Sequence, residues 1–211
     1  MSGVQNDKSF EGMLREMRSN ITELQRRQTG APAGLTPIFP TPDSLVGAFV
    51  QPDGTILLTG TAGSWVQLPR IFRDDFAGYK IVFSMKTTGG IASSPLFRMM
   101  QGTTMDTGGT SYANTRAFIG LDGIVASAFS FNGYGMLTNG GDSGPATGTM
   151  EVIAPYKAFE RTAVTFSTNQ AGVNHWGGST YTANAAQDGI AFQRGPASTT
   201  TDGWLKIFGY R

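Results

Sequence analysis

From about Leu45 onward, apolar and polar residues alternate with a period of two, and this pattern restricts most of the chain to β-structure. Tyr79, Ile81, Phe83 and Met85 fall on one side of such a strand, and Lys80, Val82, Ser84 and Lys86 on the other. Similar stretches lie near residues 54–59, 64–68, 95–101, 114–120, 123–131, 148–154, 158–167 and 189–194. Four Asp-Gly pairs, at Asp53, Asp122, Asp188 and Asp202, each stand before an apolar run. Asp-Gly accepts the positive φ angles of tight turns, so these pairs are expected to start strands. Their spacing has no common period, which argues against a repeat. Glycine supplies 29 of the 211 residues, roughly twice its usual ~7% share, as a chain with many tight turns requires. Short strands, Gly-rich turns and no intervening helices predict a mainly β fold, an antiparallel β-sandwich of jelly-roll-like type. They exclude the parallel α/β class.

The last stretch, 203-GWLKIFGYR-211, is apolar on both faces, with Trp204, Lys206, Phe208 and Tyr210 on one and Leu205, Ile207 and Gly209 on the other. Termini fray unless tied down, so this strand is expected to be paired on both sides and to close the core.

The β-module is expected to span residues 45–211. Before it, residues 1–29 carry the one helical pattern: Phe10, Leu14, Met17, Ile21 and Leu24 are separated by alternating steps of four and three, the seam of a heptad. Ser9 can cap the helix, and Gly30 with Pro32 stops it. Polar neighbours leave a narrow stripe, which favours association with other helices over packing on the chain's own domain. Leu14 and Ile21 at a with Met17 and Leu24 at d leave dimer and trimer both open. Residues 30–44 contain Pro32, Pro37, Pro40 and Pro42, and are expected to form an extended connector anchored by Leu35, Ile38 and Phe39.

Composition removes several functions. The net charge is +1, from 16 basic and 15 acidic residues with no single-sign block, so nucleic-acid binding is not expected. Cysteine is absent, which excludes disulfides and thiolate chemistry. No apolar run is long enough to insert in a membrane, and the first residues lack a secretion signal's basic and apolar regions, so a soluble chain is expected. One histidine and scattered aspartates give no metal-ligand cluster, and no cofactor is expected.

Catalysis finds little support. The string 141-GDSGP-145 resembles the nucleophile motif of chymotrypsin-like proteases, but the one histidine, His175, follows Ser143 instead of preceding it. Asp74 and Asp75 are adjacent, a poor arrangement for a glycosidase pair, and only Glu151 and Glu160 remain as glutamates in the β-region. No catalytic residue is assigned and no enzyme is expected. The best ligand-contact segment is 173-VNHWGGSTYTAN-184, where His175, Trp176 and Tyr181 stand among Gly, Ser and Thr. Flat aromatic surfaces beside short hydrogen-bonding groups suit a sugar ring or a protein surface. The alternative is that Trp176 packs in the core. Tyr134, in 131-FNGYGMLTNGG-141, has a similar setting.

The stretches 79-YKIVFSMKTTGG-90, 187-QDGIAFQRG-195 and above all 203-GWLKIFGYR-211 give the chain a resemblance to bacteriophage virion proteins of the fibre, spike or adsorption type. Their terminal strand reads G-apolar-K-apolar-Tyr-Gly; here Phe208 stands in the tyrosine's place. The resemblance implies a structural protein of the virion surface, assembled in the host cytoplasm, often as a homotrimer. Its N-terminal segment, here residues 1–44, would hold phage capsid or tail proteins, and its outer face would bind a bacterial surface glycan or another subunit. A trimeric tail fibre or spike for host attachment is the first expectation; a head fibre or capsid decoration protein is the second.

Overall fold

The computed structural model describes residues 34–60, 64–88, 95–119, 125–138, 145–183, 185–194 and 200–211. The seam of Phe10, Leu14, Met17, Ile21 and Leu24 and the 141-GDSGP-145 serine lie outside the described residues. In chain order the strands begin with β1 (Thr36–Ile38), β2 (Ala48–Val50), β3 (Ile56–Gly60), β4 (Val66–Leu68) and β5 (Gly78–Thr88). Next come β6 (Pro95–Gln101), β7 (Thr104–Met105), β8 (Tyr112–Ile119), β9 (Val125–Asn132) and β10 (Gly135–Met136). The last five are β11 (Ala146–Ile153), β12 (Ala163–Gln170), β13 (Val173–Tyr181), β14 (Gly189–Arg194) and β15 (Thr200–Tyr210).

The strands form two antiparallel sheets. The larger has the order β2-β3-β15-β5-β11-β12-β13-β8-β9, with β1 added to β15; the smaller has the order β10-β6-β14-β4, with β7 added to β6. One hydrophobic core joins their inner faces, taking Ile81, Phe83, Met150, Val164, Leu205 and Ile207 from the larger sheet and Phe97, Met99, Ile190, Phe192, Val66 and Leu68 from the smaller. This is an antiparallel β-sandwich, as the alternation required.

Strand β15 is paired on both sides. One edge meets β5 along its whole length, from Thr200 opposite Thr88 to Tyr210 opposite Gly78. The other edge is shared: β3 covers Thr201–Leu205 and β1 covers Ile207–Gly209. The proline-rich segment therefore does more than connect. Thr36–Ile38 is a strand of the module, with Ile38 buried in the core. Pro37 is tolerated because β1 is an edge strand, where a missing N–H costs no ladder bond.

One local expectation is corrected: Asp202-Gly203 does not start a strand but sits inside β15, which begins at Thr200; Asp53-Gly54 does turn the chain, with Gly54 at φ 79°. Residues 173–181, absent from the expected strands, form β13, held between β12 and β8. Two adjacent glycines weaken its local strand signal, and pairing on both edges overrides it.

Candidate functional site

The outer face of the larger sheet carries exposed aromatic side chains on a polar lawn. Trp176 projects outward at 39% exposure, with Ser167 of β12 opposite it on one side and Ala117 of β8 on the other. Asn174 and Asn169 face one another a step along, the Asn169 amide donating to Asn174 Oδ1 at 2.9 Å. Thr165 and Thr115 flank Gly178 on the other side. Phe129 of β9 is also exposed, two strands away and hence about 10 Å across the sheet. Trp204 of β15 is exposed on the same face, four strand spacings or about 19 Å from β13.

A second feature lies where the β6–β7 hairpin meets the segment after β13. A cavity of 280 Å³ is lined by Gln101, Thr104, Met105, Asp106, Thr107, Tyr181, Ala185 and Gln187. Its walls are tied together. Gly102 N–H donates to Asp188 Oδ1 at 2.9 Å, Asp188 N–H to the Met100 carbonyl at 3.0 Å, and Thr182 N–H to the Ser111 carbonyl at 2.8 Å. Asp106 accepts the Gly108 N–H at 2.8 Å, an Asx turn formed by 106-DTGG-109. Burial works to raise its pKa, but hydrogen bonds from Gly108 N–H, Ser111 and the Tyr181 hydroxyl, with the nearby Arg98 charge, outweigh it and hold the carboxyl below the usual range.

The tyrosines behind this cavity are set for alkaline sensitivity. Tyr112 and Tyr181 pack with ring centroids 5.2 Å apart, and the Tyr112 hydroxyl accepts the Met99 N–H at 2.6 Å. Burial pushes both phenols well above the ordinary value, with the Asp106 charge adding to the effect at each. A group whose folded pKa is raised supports the fold fully below its unfolded value, here ~10, and loses that support as pH climbs toward the folded value. Urea midpoints are thus expected to hold steady up to pH ~10 and to fall above it, with Tyr112→Phe flattening the fall. A midpoint that stays flat to pH ~11 would contradict the assigned burial.

A third feature is a larger, more open groove of 570 Å³ bordered by Arg70, Phe72, Arg73, Asp74, Asp75, Tyr156 and Asp188. Three of its charged side chains are engaged. Arg73 Nε lies 4.0 Å from Asp75, the Arg73 guanidinium stands over the Phe76 ring, and Asp188 is occupied with the Gly102 N–H. Asp74 and Asp75 are exposed turn residues before Phe76.

The four expected contact residues are not brought together. Trp176 is exposed and not in the core, whereas His175 and Tyr181 are 3% and 5% exposed on the opposite, inner face of β13. Strand alternation separates them: positions 175 and 181 share a face and position 176 cannot. His175 lies against the Phe118 ring, centroids 5.8 Å apart. Tyr134 precedes β10, where its carbonyl accepts the Asn114 amide at 3.2 Å. Tyr181 reaches a cavity, but through Asp106 and away from Trp176. Asp106, Gln101 and Gln187 escaped the sequence reading; the Asp-Thr-Gly-Gly string was the available signal for the first, and nothing local marks the glutamines.

No protein-family model matches the chain, and no curated protein sequence does. Among solved structures, the chain is similar to the PL-14 alginate lyase from Aplysia kurodai, at 11% identity and a TM-score of 0.39 over 79% of this chain and 86% of that one. It is also similar to the botulinum neurotoxin serotype G binding domain, at 12% identity and a TM-score of 0.29 over 85% of this chain and 44% of that one. At these scores and identities neither likeness bears on activity or ligand.

Proposed function

We propose that the chain is a bacteriophage structural protein, a trimeric tail fibre or spike subunit that contributes to host attachment through its β-module, with the part of residues 1–44 that precedes β1 holding it to the particle. The observation that carries this reading is the outer face of the larger sheet, where Trp176 stands exposed among Ser167, Asn169, Asn174, Thr165 and Thr115. A broad plate of paired strands holds these groups in fixed register, so binding there orders few side chains. An exposed aromatic ring on such a plate offers stacking to a sugar, while short amides and hydroxyls offer hydrogen bonds.

The test is retention of the purified full chain on intact bacteria across a host panel, beside Trp176→Ala. Binding to at least one host is expected, and the variant should lose roughly tenfold in affinity, equivalent to about 1.4 kcal/mol of stacking. Its stability should fall by no more than about 1–2 kcal/mol, since the ring is partly covered by its sheet neighbours but lies outside the core. Failure to bind any host would remove the receptor-binding part. A solution mass of one 22.4 kDa chain would remove the trimer, and gold label confined to phage heads would favour a head fibre or decoration protein.

A further inference from the structure

The 280 Å³ cavity between the β6–β7 hairpin and the segment after β13 has the size and chemistry of a ligand site separate from the Trp176 face. Its volume is at the lower end of small-molecule pockets, about 300 Å³, room for one ring with its substituents, and its mouth is open to solvent. The lining supplies two amides, Gln101 and Gln187, two hydroxyls, Thr104 and Thr107, and the Asp106 carboxylate. Amides both donate and accept, hydroxyls do the same, and the carboxylate accepts only. Such a set matches a ligand with several O–H groups on adjacent carbons.

Charge narrows the class further. Asp106 is the one charged residue among those lining the cavity, so an anionic ligand would meet a like charge there that Arg98, close by but outside the lining, offsets only in part. Met105 and Ala185 give a small apolar patch, enough for the C–H face of a saturated ring but not for a purine or an acyl chain. A lone carboxylate is also too little for a calcium site, which takes six to eight oxygen ligands. The Gly108 N–H, 2.8 Å from Asp106 Oδ1, fixes the carboxylate's orientation; Gln187 is 3% exposed, with its Nε2 donating to the Ala185 carbonyl at 3.3 Å. The walls are therefore already in place before a ligand arrives.

From this geometry we infer that the cavity binds a single neutral or amino-substituted pyranose, with Asp106 accepting from ring hydroxyls or an ammonium and Gln101 and Gln187 bridging the neighbouring hydroxyls. The inference goes beyond the attachment reading and does not depend on it.

The experiment is a titration of the full chain with glucose, galactose, mannose, N-acetylglucosamine, glucosamine and galacturonate, followed through the side-chain amide resonances of Gln101 and Gln187. Saturable shifts with at least one neutral or amino sugar are expected at millimolar concentration, about 4 kcal/mol of binding. Galacturonate should bind at least several-fold more weakly. Asp106→Asn should weaken the interaction roughly tenfold, the effect of losing one charge-assisted hydrogen bond. Thr104→Trp, placed at an exposed position on the rim, should abolish it without lowering the melting temperature. Absence of saturable shifts with every neutral and amino sugar, equal binding of galacturonate, or full binding by Thr104→Trp would each overturn the assignment. Loss of cell retention in Trp176→Ala with the sugar titration intact would show the two sites acting separately.

Discussion

Gly203→Ala is expected to destabilise the module by about 3 kcal/mol or more, one of the largest effects a single added methyl can have here. Gly203 sits in β15 at φ 134°, a backbone region that side chains rarely enter. A Cβ at this position would stand 2.0 Å from the Ser84 carbonyl oxygen and 3.0 Å from the Met85 Cα of the neighbouring strand. Neither atom can rotate away, since both belong to the backbone of β5. Relief would require β15 to separate from β5, at the centre of the larger sheet and beside buried Leu205 and Phe83. The measurement is a urea transition for parent and variant: the midpoint should drop sharply at unchanged slope. A loss below about 0.5 kcal/mol would mean that β15 follows a different path at Gly203.

The second large effect concerns the smaller sheet. Gly135 of β10 lies opposite Phe97 of β6, and a Cβ there would fall 2.0 Å from the Phe97 ring. That ring is fully buried and meets Tyr112 edge-on, centroids 5.8 Å apart, so it has little freedom to withdraw. Gly135→Ala is expected to cost about 1–3 kcal/mol by overpacking, and Phe97→Ala about 3–5 kcal/mol by leaving a cavity. The double variant should be much less unstable than the sum, because the alanine methyl enters space that the ring vacates. Coupling of at least about 1 kcal/mol is the signature, and strict additivity would contradict the contact.

Several features of this protein could be read from side-chain order alone. The alternation of Tyr79, Ile81, Phe83 and Met85 against Lys80, Val82, Ser84 and Lys86 named both the strand and its buried face, and the structure buries the first four and leaves the others at least partly exposed. The same logic located β6 at Pro95–Gln101 and β14 at Gly189–Arg194. It failed at β13, where Gly177 and Gly178 supply no side chains to show a period. It also failed at β1, where Pro37 argued against a strand and only an edge position makes one possible.

The candidate sites were less legible. Trp176 could be singled out as an aromatic among short polar residues, but whether it faced water or core depended on the register of β13 between β12 and β8. Tyr181 was named for the same surface and lies on the opposite one.

By itself the sequence determined the antiparallel β class and the faces of its best strands. These are properties of neighbouring side chains, and a period of two survives whatever the chain does elsewhere. Only the tertiary structure decided that β15 lies between β5 and the shared edge of β3 and β1, and that Gln101, Asp106, Tyr181 and Gln187 meet around one cavity. Closing a longer loop adds little further cost, so local sequence barely restricts which distant segments pair. That choice falls to the burial summed over both sheets, with Phe97, Phe192, Phe83 and Leu205 in one core.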